Sequence, residues 1–258
     1  MNEESVSCLY EELDEWNFIG EEATFWWRDD DAQASTPELE KLLNLSSRFS
    51  VPISLAVIPD NLDSSLKDCI DKNFNITVLQ HGFSHRNHAE VHQKKQELGN
   101  HRMASEIFDE LRKGMSKLQS HFGDAFCPIL VPPWNRIDFS LVSSLPKNGY
   151  KGVSTFKPRA CLEPEHGLWV VNTHADIMSW KKGKRFIGET SVVEQLVTHL
   201  KSRREGACDS TEPTGLLTHH LVHDVAAWQF LNDLIALMDE HPAVKWMDAK
   251  SIFQTRWR

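Results

Sequence analysis

Phe25-Trp26-Trp27-Arg28-Asp29-Asp30-Asp31 runs from large apolar side chains straight into three adjacent carboxylates. An apolar run of this kind is the pattern of a buried strand, and acids at its end place the strand's exit at a rim that water, a metal ion or a substrate can reach. Three adjacent acids also fit a turn and a helix cap, where Asp is favoured. What the rest of the chain places beside them decides between the two.

Outward from this stretch the chain alternates strand and helix patterns. Residues 23 to 28 form the first strand, and Ser35-Thr36-Pro37-Glu38 then opens a helix with Leu39, Leu42, Leu43 and Phe49 at helical spacing. Strands follow at 53 to 58, 76 to 79, 129 to 131, 150 to 155, 168 to 173, 216 to 218 and 244 to 247. Helices fall at 62 to 72, 101 to 120, 139 to 146, 190 to 204 and 225 to 240. Seven or eight strands alternating with helices predict a parallel sheet, and at 258 residues a closed (β/α)7-8 barrel rather than an open doubly wound sheet. Residues 1 to 22, acidic with Leu9, Leu13 and Trp16 weakly periodic, read as an N-terminal cover, leaving 23 to 258 as one catalytic domain.

In such a barrel the chemistry sits at the C-terminal ends of the strands. After the first strand come Asp29, Asp30 and Asp31, and after the third Gln80-His81-Gly82-Phe83-Ser84-His85. After the fourth comes Pro132-Pro133-Trp134-Asn135-Arg136; later strands are followed by His174 and Asp176, then by His219-His220-Leu221-Val222-His223-Asp224. Carboxylates and imidazoles collect at one end of the strands, which favours a site over a solvated turn.

His81 and His85 are four apart, a spacing that puts two imidazoles within reach of one metal ion. With one carboxylate and open positions, such a pair suits a hydrolytic metal site or a non-haem iron site. Gly82 permits a sharp turn after the strand and Phe83 can anchor it, while His88 and His92 continue the spacing into a polar, solvated segment. His219 and His223 form a rival pair. His219 directly follows a strand, across the mouth from the acids, and suits a general acid better than a further ligand.

The order of these motifs resembles the polysaccharide deacetylase family, the NodB-homology domain of carbohydrate esterase family 4. Trp27-Arg28-Asp29-Asp30-Asp31 is similar to its Asp-Asp motif and His81-Gly-Phe-Ser-His85 to its His-x-x-x-His motif. Val131-Pro132-Pro133-Trp134, the stretch from His174 through Asp176 to Trp180, and Leu217-Thr218-His219 follow as the third, fourth and fifth motifs, so the resemblance spans roughly residues 23 to 225. It implies a distorted (β/α)7-8 barrel of the NodB type, Asp29 as general base, Asp30, His81 and His85 as metal ligands, and His219 as general acid. The metal implied is divalent, zinc first, with cobalt or nickel as alternatives. Asp31 stands where the family has glycine, and Val131 where it has a base-orienting arginine, a role left to Arg136 or Arg28. Asp176 is the residue expected to orient His219. Trp27, Trp134 and Trp180 fall beside the site, where Trp stacks on sugar faces or serves the core.

A net charge of −9, with basic runs only at 181 to 185 and 201 to 204, argues against nucleic acid or an anionic membrane as partner. Five scattered cysteines with no C-x-x-C spacing argue against a disulfide framework or a cysteine zinc site. With an acidic N-terminus and no apolar run of membrane-spanning length, the expectation is a cytoplasmic hydrolase of an N-acetylated sugar or other small acetylated substrate. The oligomeric state is left open. The alternatives are hydrolysis of another C–N amide in a small molecule, a non-haem iron oxygenase, and a non-catalytic sugar-binding relative.

Overall fold

A computed structural model describes residues 1–73, 75–180 and 183–254. Lys181 and Lys182, which open the basic run at 181 to 185, lie outside the described residues. In chain order the elements are α1 (Glu3–Phe18), β1 (Ala23–Ala32), α2 (Pro37–Arg48), β2 (Ile53–Val57), α3 (Ser65–Asp71), β3 (Ile76–His81), α4 (Ala104–Phe122), β4 (Phe126–Val131), α5 (Phe139–Val142) and β5 (Gly152–Val153). They continue as β6 (Trp169–Val170), β7 (Ala175–Asp176), β8 (Met178–Ser179), β9 (Arg185–Phe186), α6 (Glu189–Arg204), β10 (Thr214–Thr218), α7 (Val225–Asp239), β11 (Val244–Trp246) and α8 (Ala249–Gln254).

The main sheet has the order β6-β5-β4-β3-β2-β1-β10-β7, with β11 added along the start of β1, and its pairings are parallel. β6 and β7 belong to one short stretch, so the sheet's path starts and finishes in the same piece of chain. The sheet therefore curls into a distorted half-barrel: the parallel β/α architecture is as the alternation of strands and helices predicts, but among the described residues β6 and β7 do not pair, so the expected closure is not completed.

The period of two along each strand sorts side chains between the helix layer and the barrel interior. Phe25 and Trp27 of β1, Leu55 and Val57 of β2, Val78 of β3 and Leu216 of β10 pack with Leu39, Leu196 and Leu231 of the surrounding helices. Trp26, Ala56, Leu79, Ile129 and Val131 fill the interior with Ile252 and Phe253 of α8. Phe253 plugs the lumen so closely that a Cβ on Gly152 would lie 2.4 Å from its ring, which explains a glycine there. Leu9, Leu13 and Trp16 of α1 join the outer cluster. α2 starts as expected, with Pro37 in its first turn and Thr36 Oγ1 accepting the N–H of Leu39 at 3.1 Å.

Two expectations shift. β1 continues to Ala32, so all three acids lie within the strand rather than beyond it. The strands expected at 150 to 155 and 168 to 173 shrink to two residues each. Polar side chains replace ladder bonds there: the N–H of Thr155 goes to Asn172 Oδ1 at 2.8 Å, and that of Asn172 to Glu212 Oε1 at 2.8 Å.

Where β7 meets β10, His174 and His199 stack with ring centroids 3.3 Å apart, and His174 Nε2 lies 3.4 Å from Glu212. Burial pushes both imidazoles down, His199 to about 2 with help from His174, so both are neutral in the folded chain at neutral pH. Unfolded histidines take up protons below about pH 6.5 while folded His199 does not, so its contribution to stability is lost as pH falls through that value. We expect denaturant midpoints to drop between pH 6.5 and 4 with a contribution from His199 of about 1.4 kcal/mol per pH unit, which His199→Gln flattens.

Candidate active site

The acids of β1 do not share one environment, because the strand is irregular at Asp31. Asp30 pairs with Ala56 and Ala32 with Val57, leaving Asp31 as an extra residue with φ +76°. Such a bulge breaks the two-residue alternation and re-aims a side chain. Asp29 keeps the helix-layer side of Phe25 and Trp27, while Asp30 and Asp31 both reach the mouth.

Asp31 Oδ1 lies 3.2 Å from His81 Nε2 and 3.4 Å from His85 Nε2. His81 ends β3 on the interior side of Leu79, and its Nδ1 lies 3.0 Å from the carbonyl of Val131, which accepts the Nδ1 proton. That fixes the tautomer whose Nε2 faces Asp31. His85 is carried round by a turn that begins at Gly82 and that Glu97 holds: Glu97 accepts the N–H of Ser84 at 2.7 Å and its hydroxyl at 3.0 Å. Gly82 has φ +55°, and a Cβ there would stand 2.1 Å from Glu97 Oε2 and 2.6 Å from the Pro133 ring, so any other residue would strain the turn and displace the groups that hold it. Glu97 lies in the polar segment expected to be solvated, yet it is 1% exposed. Burial opposes the charging of His81, but Asp30 and Asp31 hold its pKa above the usual range, whereas burial and His81 push His85 down to about 4.

Asp30 faces Arg28, two residues earlier on the same side of β1. Arg28 Nε lies 2.9 Å from Asp30 Oδ1 and Nη2 donates to Oδ2 at 3.1 Å. The remaining donors cross the barrel, Nη1 to Ser154 Oγ and Nη2 to Asn135 Oδ1, each at 2.7 Å. His219, next after β10, brings Nε2 to 3.8 Å from Asp30 Oδ2.

Asp29 is fully buried, and both its oxygens are used: Oδ2 accepts the Thr218 hydroxyl at 2.7 Å and the His220 N–H at 3.0 Å, and Oδ1 meets His220 Nδ1 at 2.5 Å. Burial opposes its ionisation, and His220 overcomes that and keeps its pKa low.

These placements correct several expectations. The carboxylate that joins His81 and His85 is Asp31, not Asp30, and Asp29 is sealed from the mouth where a base would meet water. Three consecutive acids allow two alignments with an Asp-Asp motif, and only in the later one is the second acid the carboxylate that lies with His81 and His85. Trp27 is buried on the helix-layer side, donating to Thr218 Oγ1 at 2.9 Å, and cannot line the cleft. Arg136 donates to the carbonyl of Lys95 at 2.8 Å, so Arg28 is the arginine beside an acid. Asp176 accepts from Trp180 Nε1 and the Met178 N–H rather than from His219. Trp134 stands 4.4 Å from His85 and Trp180 4.6 Å from His219, ring centroid to centroid, so these two tryptophans flank the mouth. His219 and His223 do not face a common ligand point: His223 Nε2 accepts the His219 N–H at 3.3 Å.

No protein-family model matches the sequence, and no curated protein matches it. Solved structures do. The Bc1960 peptidoglycan N-acetylglucosamine deacetylase superposes with a TM-score of 0.58 at 14% identity, over 90% of this chain and 89% of that one. The chain has the fold of the polysaccharide deacetylases. A family 4 acetyl xylan esterase from Clostridium thermocellum, solved with cobalt, gives 0.54 at 13% identity over 90% and 91% of the two chains. A mutant of BA3943, described as a family 4 pseudoenzyme with restored activity, gives 0.55 at 13% over 90% and 68%.

Among the described residues two groupings have donor atoms close enough for a metal ion, Asp31 with His81 and His85, and His174 with His199 and Glu212. The second is wholly enclosed, and the N–H of Gly215 donates to His174 Nδ1 at 2.9 Å, which leaves the proton on Nε2 facing Glu212. The first holds the Nδ1 proton of His81 on the Val131 carbonyl, so that Nε2 is the nitrogen that ligates once deprotonated, and it turns Asp31 Oδ1 toward both imidazoles. It is the grouping that fits a divalent ion. Because His81 is held above the usual range and must be neutral to ligate, metal uptake releases a proton; calorimetry in buffers of different ionisation enthalpy should show this, with affinity rising from pH 6 to 8.

Proposed function

We propose that the chain is a metal-dependent deacetylase that cleaves the acetamide of an N-acetylated sugar or glycan. The observation that carries this reading is the convergence at one barrel mouth of Asp31, His81 and His85 with Asp30 and His219 beside them. In this reading Asp31, His81 and His85 hold the ion, zinc first and cobalt or nickel next. When bound, a divalent ion polarises the acyl carbonyl and lowers the pKa of water.

The chain's own residues divide the proton transfers. Asp30, gripped along both oxygens by Arg28, takes the proton of the attacking water as its oxygen bonds to the acyl carbon. Arg28 thus does from within β1 what the resemblance assigns to an arginine at position 131. As the C–N bond breaks, His219 gives its proton to the departing amine, leaving acetate. Trp134 and Trp180 offer apolar faces on two sides of the mouth, suited to a pyranose ring. The net charge of −9 supports a neutral substrate, and no described helix is long and apolar enough to cross a membrane.

Acetate release from N-acetylglucosamine oligomers, followed alongside metal content, tests the roles. Asp30→Asn should lower kcat by about 10³-fold or more with metal content retained. Asp31→Asn should lose the metal as well, because the ligand itself is replaced. Turnover that survives chelation of the ion, or an Asp30→Asn protein as active as the parent, overturns the reading; glycan affinity without turnover identifies a non-catalytic relative instead.

A further inference from the structure

We infer that Asp29, the acid of β1 turned away from the mouth, is a positioning residue that holds His219 over Asp30. This rests on the deacetylase reading above. β10 runs beside β1 with Asp29 opposite Thr218. Thr218 and His220 flank His219 in the chain, and Asp29 binds both: the Thr218 hydroxyl at 2.7 Å, the His220 N–H at 3.0 Å and His220 Nδ1 at 2.5 Å. The alternation of side chains explains the geometry. Trp27, Asp29 and Thr218 share the helix-layer side, where Trp27 Nε1 also reaches Thr218, so His219 between Thr218 and His220 is left facing inward.

Other restraints on His219 are weak. Among the described residues its Nδ1 has no hydrogen-bond partner, and Asp176 spends its oxygens on Trp180 and Met178. What remains on the residue is its N–H to His223 at 3.3 Å, its carbonyl accepting the Val222 N–H at 3.0 Å, the edge of the Trp180 ring at 4.6 Å and Asp30 itself at 3.8 Å. His220, the second residue of the clamp, opens a turn packed against α2, so Asp29 also ties the catalytic loop to the helix layer. A fully buried carboxylate is retained only where strong donors compensate its desolvation, and here those donors are the neighbours of the proposed acid.

The experiment compares Asp29→Ala and Asp29→Asn on two substrates, an N-acetylglucosamine oligomer, whose amine must be protonated to leave, and 4-nitrophenyl acetate, whose phenolate leaves without a proton. The Asn side chain keeps an oxygen for Thr218 and the His220 N–H and offers its amide to His220 Nδ1, which accepts in its other tautomer. Asp29→Ala should lower kcat on the oligomer about 100-fold, the effect of misplacing a catalytic group by about 1 Å, while metal content and 4-nitrophenyl acetate turnover stay within about fivefold. Asp29→Asn should stay within about tenfold on both substrates. Hydrogen exchange of the 219 to 223 amides should accelerate in Asp29→Ala and not in Asp29→Asn. Should Asp29→Ala not fold, Thr218→Val, which removes one of the three bonds, should shift the same readouts partway.

Equal losses on the two substrates, or unchanged exchange in Asp29→Ala, overturn the inference. An Asp29→Asn protein as inactive as Asp29→Ala, with the loop still protected, makes Asp29 the base instead. If the parent protein turns over neither substrate the deacetylase reading fails, while the exchange comparison still decides whether Asp29 holds the loop.

Discussion

The site depends on one irregularity in one strand. With Asp31 at φ +76°, β1 carries a residue more than β2 can pair, and Asp30 and Asp31 emerge on the same side of the sheet. In a regular strand they would point to opposite faces, and Asp31 would follow Asp29 into the helix layer. A non-glycine residue in the left-handed region is tolerated more readily when it is Asp than when it is bulky or β-branched. The strain is local, but its consequence reaches two other strands of the sheet. β3 supplies His81, β10 supplies His219, and both are useful only because two acids meet them at the mouth.

The bulge alone would leave Asp30 as a buried charge at the floor of the mouth. Arg28 answers it with an ion pair at 2.9 Å, and the guanidinium's other donors reach Ser154 and Asn135 on the far side of the lumen. A buried pair is a poor source of net stability, since desolvation of two charges offsets much of their attraction. Removing one partner, however, costs about 3–5 kcal/mol, so the pair specifies where each member sits more than it stabilises the fold. The same arginine thereby links β1 to the segments after β4 and β5.

Much of this was legible in the residues, and the failures have physical causes. The alternation of strand and helix patterns predicts the barrel because parallel strands buried on both faces leave a strong apolar signal, as in Ile53–Val57. The clustering of His81, His85 and His219 at strand ends was readable for the same reason. The assignment among Asp29, Asp30 and Asp31 was not, because identical side chains in series carry no mark of which one a bulge will displace. Arg28 and Asn135 escaped as partners because their contact spans 107 positions in the chain. Glu97 hid in a segment whose composition is polar, its burial set by the turn it closes and not by its neighbours. The one available signal was Arg28 itself: a charge inside an apolar strand needs a partner, and period two points to Asp30.

The two histidine groupings show why ligand type and spacing do not suffice to identify a metal centre. Both offer two imidazoles and a carboxylate within one ion's reach. They differ in the atom that meets the far ring nitrogen. A carbonyl, that of Val131, accepts the proton of His81 Nδ1, so that Nε2, once deprotonated, presents its lone pair toward Asp31. A backbone N–H, that of Gly215, donates to His174 Nδ1 and leaves Nε2 with a proton facing Glu212. One hydrogen bond of opposite sense, made by the main chain of an adjacent strand, separates a grouping arranged to accept an ion from one arranged to lock β7 against β10. The strand ladder that builds the barrel therefore also selects which of the two histidine groupings fits an ion.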